Sequence, residues 1–177
     1  MPDSVIEGRA AALRIENLDT DQIMPKQFLR GIDKSGLVEG LLHDHRFDAQ
    51  GRARPDFVLN RPEHAGASVL IGGANFGCGS SREHAVWGLQ QFGIRAIVAP
   101  SFAEIFHSNA MQNGLLLAAI EPLQAEAMMA DAEAHPTDLV QVDLSSMTVR
   151  TLKQSTTSSC SRTVIREKFS RTGKLRV

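Results

Sequence analysis

Residues 68–99 read SVLIGGANFGCGSSREHAVWGLQQFGIRAIVA, and this stretch decides the fold. SVLIG (68–72) is a short apolar run that predicts a strand. GANFGCG (73–79) follows as a glycine turn. Ser80 with Glu83 three residues later predicts a capping box at a helix start. Ala85, Trp87, Leu89 and Phe92 cover one helical face, and Gly93 supplies the stop. IRAIVA (94–99) then predicts a second buried strand.

Downstream the pattern repeats. Pro100 and Ser101 open a second expected helix, SFAEIFHSNAMQNG (101–114), and LLLAAI (115–120) is a third apolar strand. The expected core is therefore β-α-β-α-β, with continuous apolar strands that suit a parallel sheet covered by helices. The Ala- and Glu-rich segment 121–135 predicts a helix. LVQVDL (139–144) alternates as a half-exposed strand does, and MTVRTL (147–152) is its expected hairpin partner. Upstream, RAAALRIE (9–16) reads as a short strand or a turn of helix. NLDTDQIMPKQFL (17–29) reads as a loop, because Asp19, Thr20 and Asp21 favour bonds to their own backbone. Residues 31–54 show little periodicity and predict a long, irregular, mobile segment.

Composition narrows the function. The 177 residues fit one domain of ordinary size, and 42% hydrophobic with 22% charged content predicts a packed core. A net charge of −1 argues against a general nucleic-acid binder. That average hides an asymmetry: residues 1–147 carry −8 and residues 148–177 carry +7. No apolar run approaches the roughly 20 residues of a membrane span, and the start of the chain does not read as a secretory signal. The two cysteines, Cys78 and Cys160, suggest no disulfide framework, so a reducing, cytoplasmic setting is expected. Two thiols also fall short of the set that usually holds an iron–sulfur cluster.

Ligands of open α/β sheets sit beyond the carboxyl ends of the strands, where GCGSSR (77–82) lies. Gly77 and Gly79 let a ligand approach the backbone, and free amides at a helix start favour an anion. Arg82 adds a planar fork for a carboxylate. In such a field a serine hydroxyl can act as a base beside an anionic substrate. A capped helix with no further role explains Ser80 and Glu83 equally well. Other readings fail on the letters: Arg82 stands where a dinucleotide fingerprint needs its third glycine, GCGSS is not a hydrolase elbow, and no lysine follows as in a P-loop. Cys78 reads as a small packed residue. His43-Asp44-His45 lacks a third metal ligand and reads as a solvated loop.

These motifs resemble a known family. GGANFGCGSSREHAVWGL (72–89), IRAIVAPSFAEIFHSNAMQNGLL (94–116), NLDTDQIMPKQFL and HDHRFDAQGRARPDFVLNRPEHAGASVL (43–70) are similar to the small subunits of 3-isopropylmalate dehydratases, which correspond to the swivel domain of the aconitase superfamily. The resemblance implies a swivelling β/β/α domain with a mainly parallel sheet over residues 1–147, followed by an atypical basic Ser/Thr-rich segment at 148–177. It implies a hydro-lyase of leucine biosynthesis that isomerises 2-isopropylmalate to 3-isopropylmalate through isopropylmaleate. It places no cofactor in this chain and a [4Fe-4S] cluster on a large partner subunit. By the same resemblance Ser80 is the base, and Arg82, Lys26, Leu29, Ser81 and Gly79 bind substrate. Asp19, Thr20, Asp21, Asn75, Cys78 and His84 shape the site. Homoaconitate, citraconate or dimethylmalate as substrate, or a non-catalytic anion-binding subunit, stay open as alternatives. Val86 and Leu117 stand where relatives of this kind usually carry proline.

Overall fold

A computed structural model describes residues 5–30, 36–80 and 82–153, and the backbone of 162–164. The elements run β1 (Val5–Leu13), α1 (Thr20–Ile23), α2 (Leu37–Gly40), α3 (His43–Arg46), β2 (Val69–Gly72), α4 (Glu83–Phe92), β3 (Ala96–Ala99), α5 (Glu104–Gln112), β4 (Leu116–Ala119), α6 (Pro122–Ala134), β5 (Leu139–Asp143), β6 (Thr148–Leu152) and β7 (Arg162–Val164). The strands form one seven-stranded sheet in the order β4-β3-β2-β1-β5-β6-β7. β1 to β4 are parallel, and β5 turns the sheet antiparallel at the far side of β1.

The expected β-α-β-α-β core is present as β2 to β4. The segment at 9–16 is more than the short element expected: it is the end of a nine-residue strand at the centre of the sheet. Its alanines hid it, since alanine is depleted in strands. They suit a strand with helices on both faces, because small side chains let both layers approach. The hairpin expected at 139–152 forms as β5 and β6, with Leu139 opposite Leu152.

Alternation along the strands builds two cores. Leu13, Leu70 and Ile97 face one side with α4 and α5, and Ala12, Val69, Ile71 and Val98 face the other with α6. α6 contributes Ala125, Met128, Met129 and Ala132 to that second layer. Arg14, just past β1, holds α6 with a fork on the Glu133 carboxylate, at 2.6 and 2.9 Å, and a further bond to Glu126. The fork keeps the Glu133 carboxyl below the usual carboxylate range.

Three local expectations are corrected. Residues 36–54 are only partly irregular: they hold α2, α3 and a bridge of Phe47 with Ala53, and Leu37 in α2 and Leu41 and Leu42 between the helices are buried in the first core. Residues 31–35 lie outside the described residues. The stretch 17–29 is not all loop. Asp19 caps α1 in a reciprocal capping box with Gln22, and Lys26–Phe28 forms a 3₁₀ turn. The second helix begins at Glu104 rather than Ser101, because Phe102 is drawn into a bridge with Phe76. The residues that replace proline are both interior: Val86 is fully buried in α4 and Leu117 lies in β4.

Gly77 and Gly93 separate two costs of a side chain at positive φ. At Gly77 (φ 80°) a Cβ would meet the Phe106 ring at 2.2 Å, whereas at Gly93 (φ 111°), the stop of α4, it would meet nothing within 4 Å. Gly77→Ala is expected to lower unfolding free energy by about 2–4 kcal/mol, conformational strain plus overpacking. Gly93→Ala is expected to lose about 1–2 kcal/mol, the strain alone. Urea unfolding of the two variants checks the difference.

Candidate functional site

The site is built on the loops that leave the carboxyl ends of β1, β2 and β3. Parallel pairing brings Leu13 beside Gly72, so the chains that follow leave the sheet together. They stay paired. Asn17 N–H donates to Ala74 O at 2.9 Å, Gly77 N–H to Leu18 O at 2.8 Å and Thr20 N–H to Cys78 O at 2.9 Å. On the other side Phe76 N–H donates to Ser101 O at 3.1 Å and Ala103 N–H to Phe76 O at 3.0 Å. The glycine loop is thus a strand-like bridge between its two neighbours, and Phe76 and Phe106 pack beneath it with ring centroids 5.5 Å apart.

Gly79 (φ 90°) and Ser80 form the exposed crest of this loop. The expected capping box at Ser80 is absent. α4 starts at Glu83, its N-cap is Arg82 in extended conformation, and no side chain caps it. The loop is paired as far as Cys78 and turns at Gly79, and Arg82 is the N-cap. Ser80 is therefore free of a structural role at the helix start. It lies two residues before the N-cap, outside the first turn where the helix dipole acts most strongly. Glu83 is used differently: its carboxylate accepts a 3.2 Å bond from the Asn113 amide.

Thr20, Asp21, Met24, Leu29, Arg82, His84 and Ala85 line a narrow crevice beside the crest, too tight to admit a water molecule. This brings together five residues expected at the site: Thr20, Asp21, Leu29, Arg82 and His84. Met24, Leu29 and Ala85 give the lining its apolar surface, and the exposed Arg82 is its cation. Lys26 is not in the crevice; it is exposed and lies 3.9 Å from the Asp21 carboxylate. Asp19 serves the loop, accepting the Gln22 N–H at 2.7 Å and bridging to Cys78. Cys78 donates its thiol proton to Asn17 O at 3.2 Å, as a packed rather than a reactive group. Ser81 lies outside the described residues.

Two features were not legible in the sequence. His43-Asp44-His45 is one helical turn, not a solvated loop, and its imidazoles pack: His43 against Phe28 and Phe47, His45 stacked on Phe57. Asn113, at the end of α5, holds α4 from the side. Its Oδ1 accepts from Trp87 at 2.9 Å, its carbonyl accepts from Gln90 at 2.7 Å, and Trp87 in turn lies against His84 in the crevice. A lone asparagine after a helix gives no signal of such a role. Among the described residues no group of three or more His, Cys, Asp or Glu could hold a metal ion. No helix among them is long and apolar enough to cross a membrane.

With this geometry in place, comparison with known proteins is decisive. Residues 4–123 match the aconitase C-terminal domain family. The chain belongs to that family. It is 61% identical over 145 residues to 3-isopropylmalate dehydratase small subunit 1 of Chromobacterium violaceum, covering 82% of this chain and 68% of the relative. It is 51% identical over 148 residues to the 3-isopropylmalate dehydratase small subunit of Roseiflexus castenholzii, covering 84% and 72%. In structure it is similar to 3-isopropylmalate dehydratase (leuD) of Methanocaldococcus jannaschii, with a TM-score of 0.59 at 30% identity over 89% of this chain and 82% of that one. The aconitase-type fold expected from the glycine loop is thus the observed one. Every expected site residue lies within the matched span.

Arg82 is the exposed guanidinium that lines the crevice. Arg82→Lys keeps the charge but loses the planar fork. It is expected to weaken dicarboxylate binding by about tenfold, the worth of one charge-assisted bond, with an unchanged melting temperature. Calorimetric titration of the assembled enzyme with substrate measures it.

Proposed function

We propose that the chain is the small subunit of a heteromeric hydro-lyase that isomerises 2-isopropylmalate to 3-isopropylmalate through isopropylmaleate in leucine biosynthesis. One observation carries the reading: relatives 50–61% identical over more than four-fifths of this chain bear the name 3-isopropylmalate dehydratase small subunit. The lining supports it, since Met24 and Leu29 share it with Arg82, the apolar and cationic groups that a branched dicarboxylate requires.

In this reading the Arg82 guanidinium holds one substrate carboxylate. Ser80 removes the proton from the carbon next to a carboxylate and later returns a proton to the alkene. Loop amides around Gly79 offset the cost of the serine oxyanion. Leu29 meets the isopropyl group, and Lys26 supplies a second cation at the mouth. Ser81 is a further substrate contact. Asp19, Thr20 and Cys78 hold the loops, and His84 backs Arg82.

The family also implies a [4Fe-4S] cluster. This chain's donors do not fit one: its cysteines are Cys78 and Cys160, and the Cys78 thiol is already engaged with Asn17 O. The cluster and the handling of the departing hydroxyl therefore belong to the large subunit. The small subunit contributes the proton chemistry and the substrate pocket.

Two outcomes test this. The purified chain is expected to bind no iron and to show no dehydratase activity until the large subunit is added; isomerisation by the chain alone contradicts the reading. Leu29→Arg removes an apolar contact worth about 1–2 kcal/mol and adds a cation. It is expected to shift the ratio of kcat/KM from isopropylmalate towards substrates with a third carboxylate. An unchanged ratio means that Leu29 does not face the substrate and leaves the homoaconitate reading open.

A further inference from the structure

Asn75 is the node of the three site loops. It has φ 54°, and its neighbour across the loop, Asn17, has φ 51°. Both are exposed, and both occupy the left-handed region where a residue other than glycine is uncommon. Their side chains meet: Asn75 Nδ2 donates to Asn17 Oδ1 at 3.0 Å. The Asn75 backbone N–H donates the other way, to Ser101 Oγ at 2.8 Å. One residue thus ties the loop after β1 to the loop after β2 by its side chain, and the loop after β3 to both by its backbone.

Backbone pairing alone would already hold the loops at Leu18, Phe76 and Cys78. The asparagine pair adds a side-chain bond upstream of those contacts, beside the backbone bond from Asn17 N–H to Ala74 O. A glycine at either position would meet the backbone geometry with less strain. The side chains therefore serve the bond between them.

We propose that Asn17 and Asn75, seated on Ser101, are positioning residues that fix the crest carrying Ser80 relative to the loop of Asp19 and Thr20, so that the proton transfer occurs from a set geometry. The proposal rests on the reading of Ser80 as the base. It acts on turnover rather than on binding, because Arg82 and Leu29 lie in the crevice and not on this clasp.

The test is steady-state kinetics of the assembled two-subunit enzyme, with melting temperature and co-purification of the large subunit measured for each variant. Asn17→Gly and Asn75→Gly keep the left-handed backbone and remove only the side-chain bond. Each is expected to lower kcat by about tenfold to a hundredfold, as small misplacements of reacting groups do, with KM within about twofold. The double variant is expected to be no worse than either single one, since both remove the same bond. Asn17→Asp still accepts from Asn75 and is expected to restore most of kcat. Asn75→Asp can accept from Asn17 Nδ2 once that amide turns over and is expected to keep most of it, whereas aspartate at both positions sets two carboxylates together and is expected to lose it. Ser80→Ala is the control. If it is inactive while both glycine variants turn over normally, the proposal is overturned and the Ser80 reading stands. If Ser80→Ala is fully active, the Ser80 reading fails and the proposal falls with it. Glycine variants whose losses multiply in the double variant, or appear in KM alone, also overturn it.

Discussion

The parallel pairing of β1 with β2 and of β2 with β3 is the constraint on which the site depends. Parallel strands must all release their chains at the same edge of the sheet. Here that edge puts the segments after Leu13, Gly72 and Ala99 next to one another, and they continue to hydrogen-bond as far as Cys78. The glycine loop can then lie flat over Phe106 only because residue 77 has no Cβ. Change that residue and the crest moves; leave it, and Ser80 and Arg82 are delivered to the same rim without either being needed for stability.

That separation of duties has a chemical consequence. The helix start lacks a side-chain cap, and α4 is instead held from α5 through Asn113 and by the burial of Ala85, Val86 and Leu89. The crevice beside the crest has no room of its own for a bound molecule, against the several hundred Å³ typical of small-molecule sites. The small-subunit names of this chain's relatives imply a large-subunit partner.

Much of this was legible in the sequence, and the rest fails for identifiable reasons. β2, α4, β3 and β4 announce themselves, because uninterrupted apolar runs bounded by glycine have few other solutions. Their order alone places GCGSSR at a strand end. β1 was legible only in part, since Arg9–Leu13 is mostly alanine and its strand character comes from its neighbours on both faces. α2 and α3 were missed because four-residue helices are too short to show a period; Leu37, Leu41 and Leu42 are recognisable as core only when the first layer is seen whole. Ser80 and Glu83 form a capping box on paper, yet the loop's pairing to Asp19 and Thr20 is worth more than one cap. The crevice joining Leu29 to Arg82 spans two distant segments, and nothing local in either announces the other.

The most direct test of the account is a crystal structure of the assembled two-subunit enzyme with an inert isopropylmalate analogue bound. The account predicts the analogue's carboxylate held bidentately by Arg82, its branched group against Leu29, and Ser80 Oγ about 3–3.5 Å from the carbon that loses its proton. A complex in which Ser80 points away from that carbon while Arg82 binds no carboxylate would contradict it.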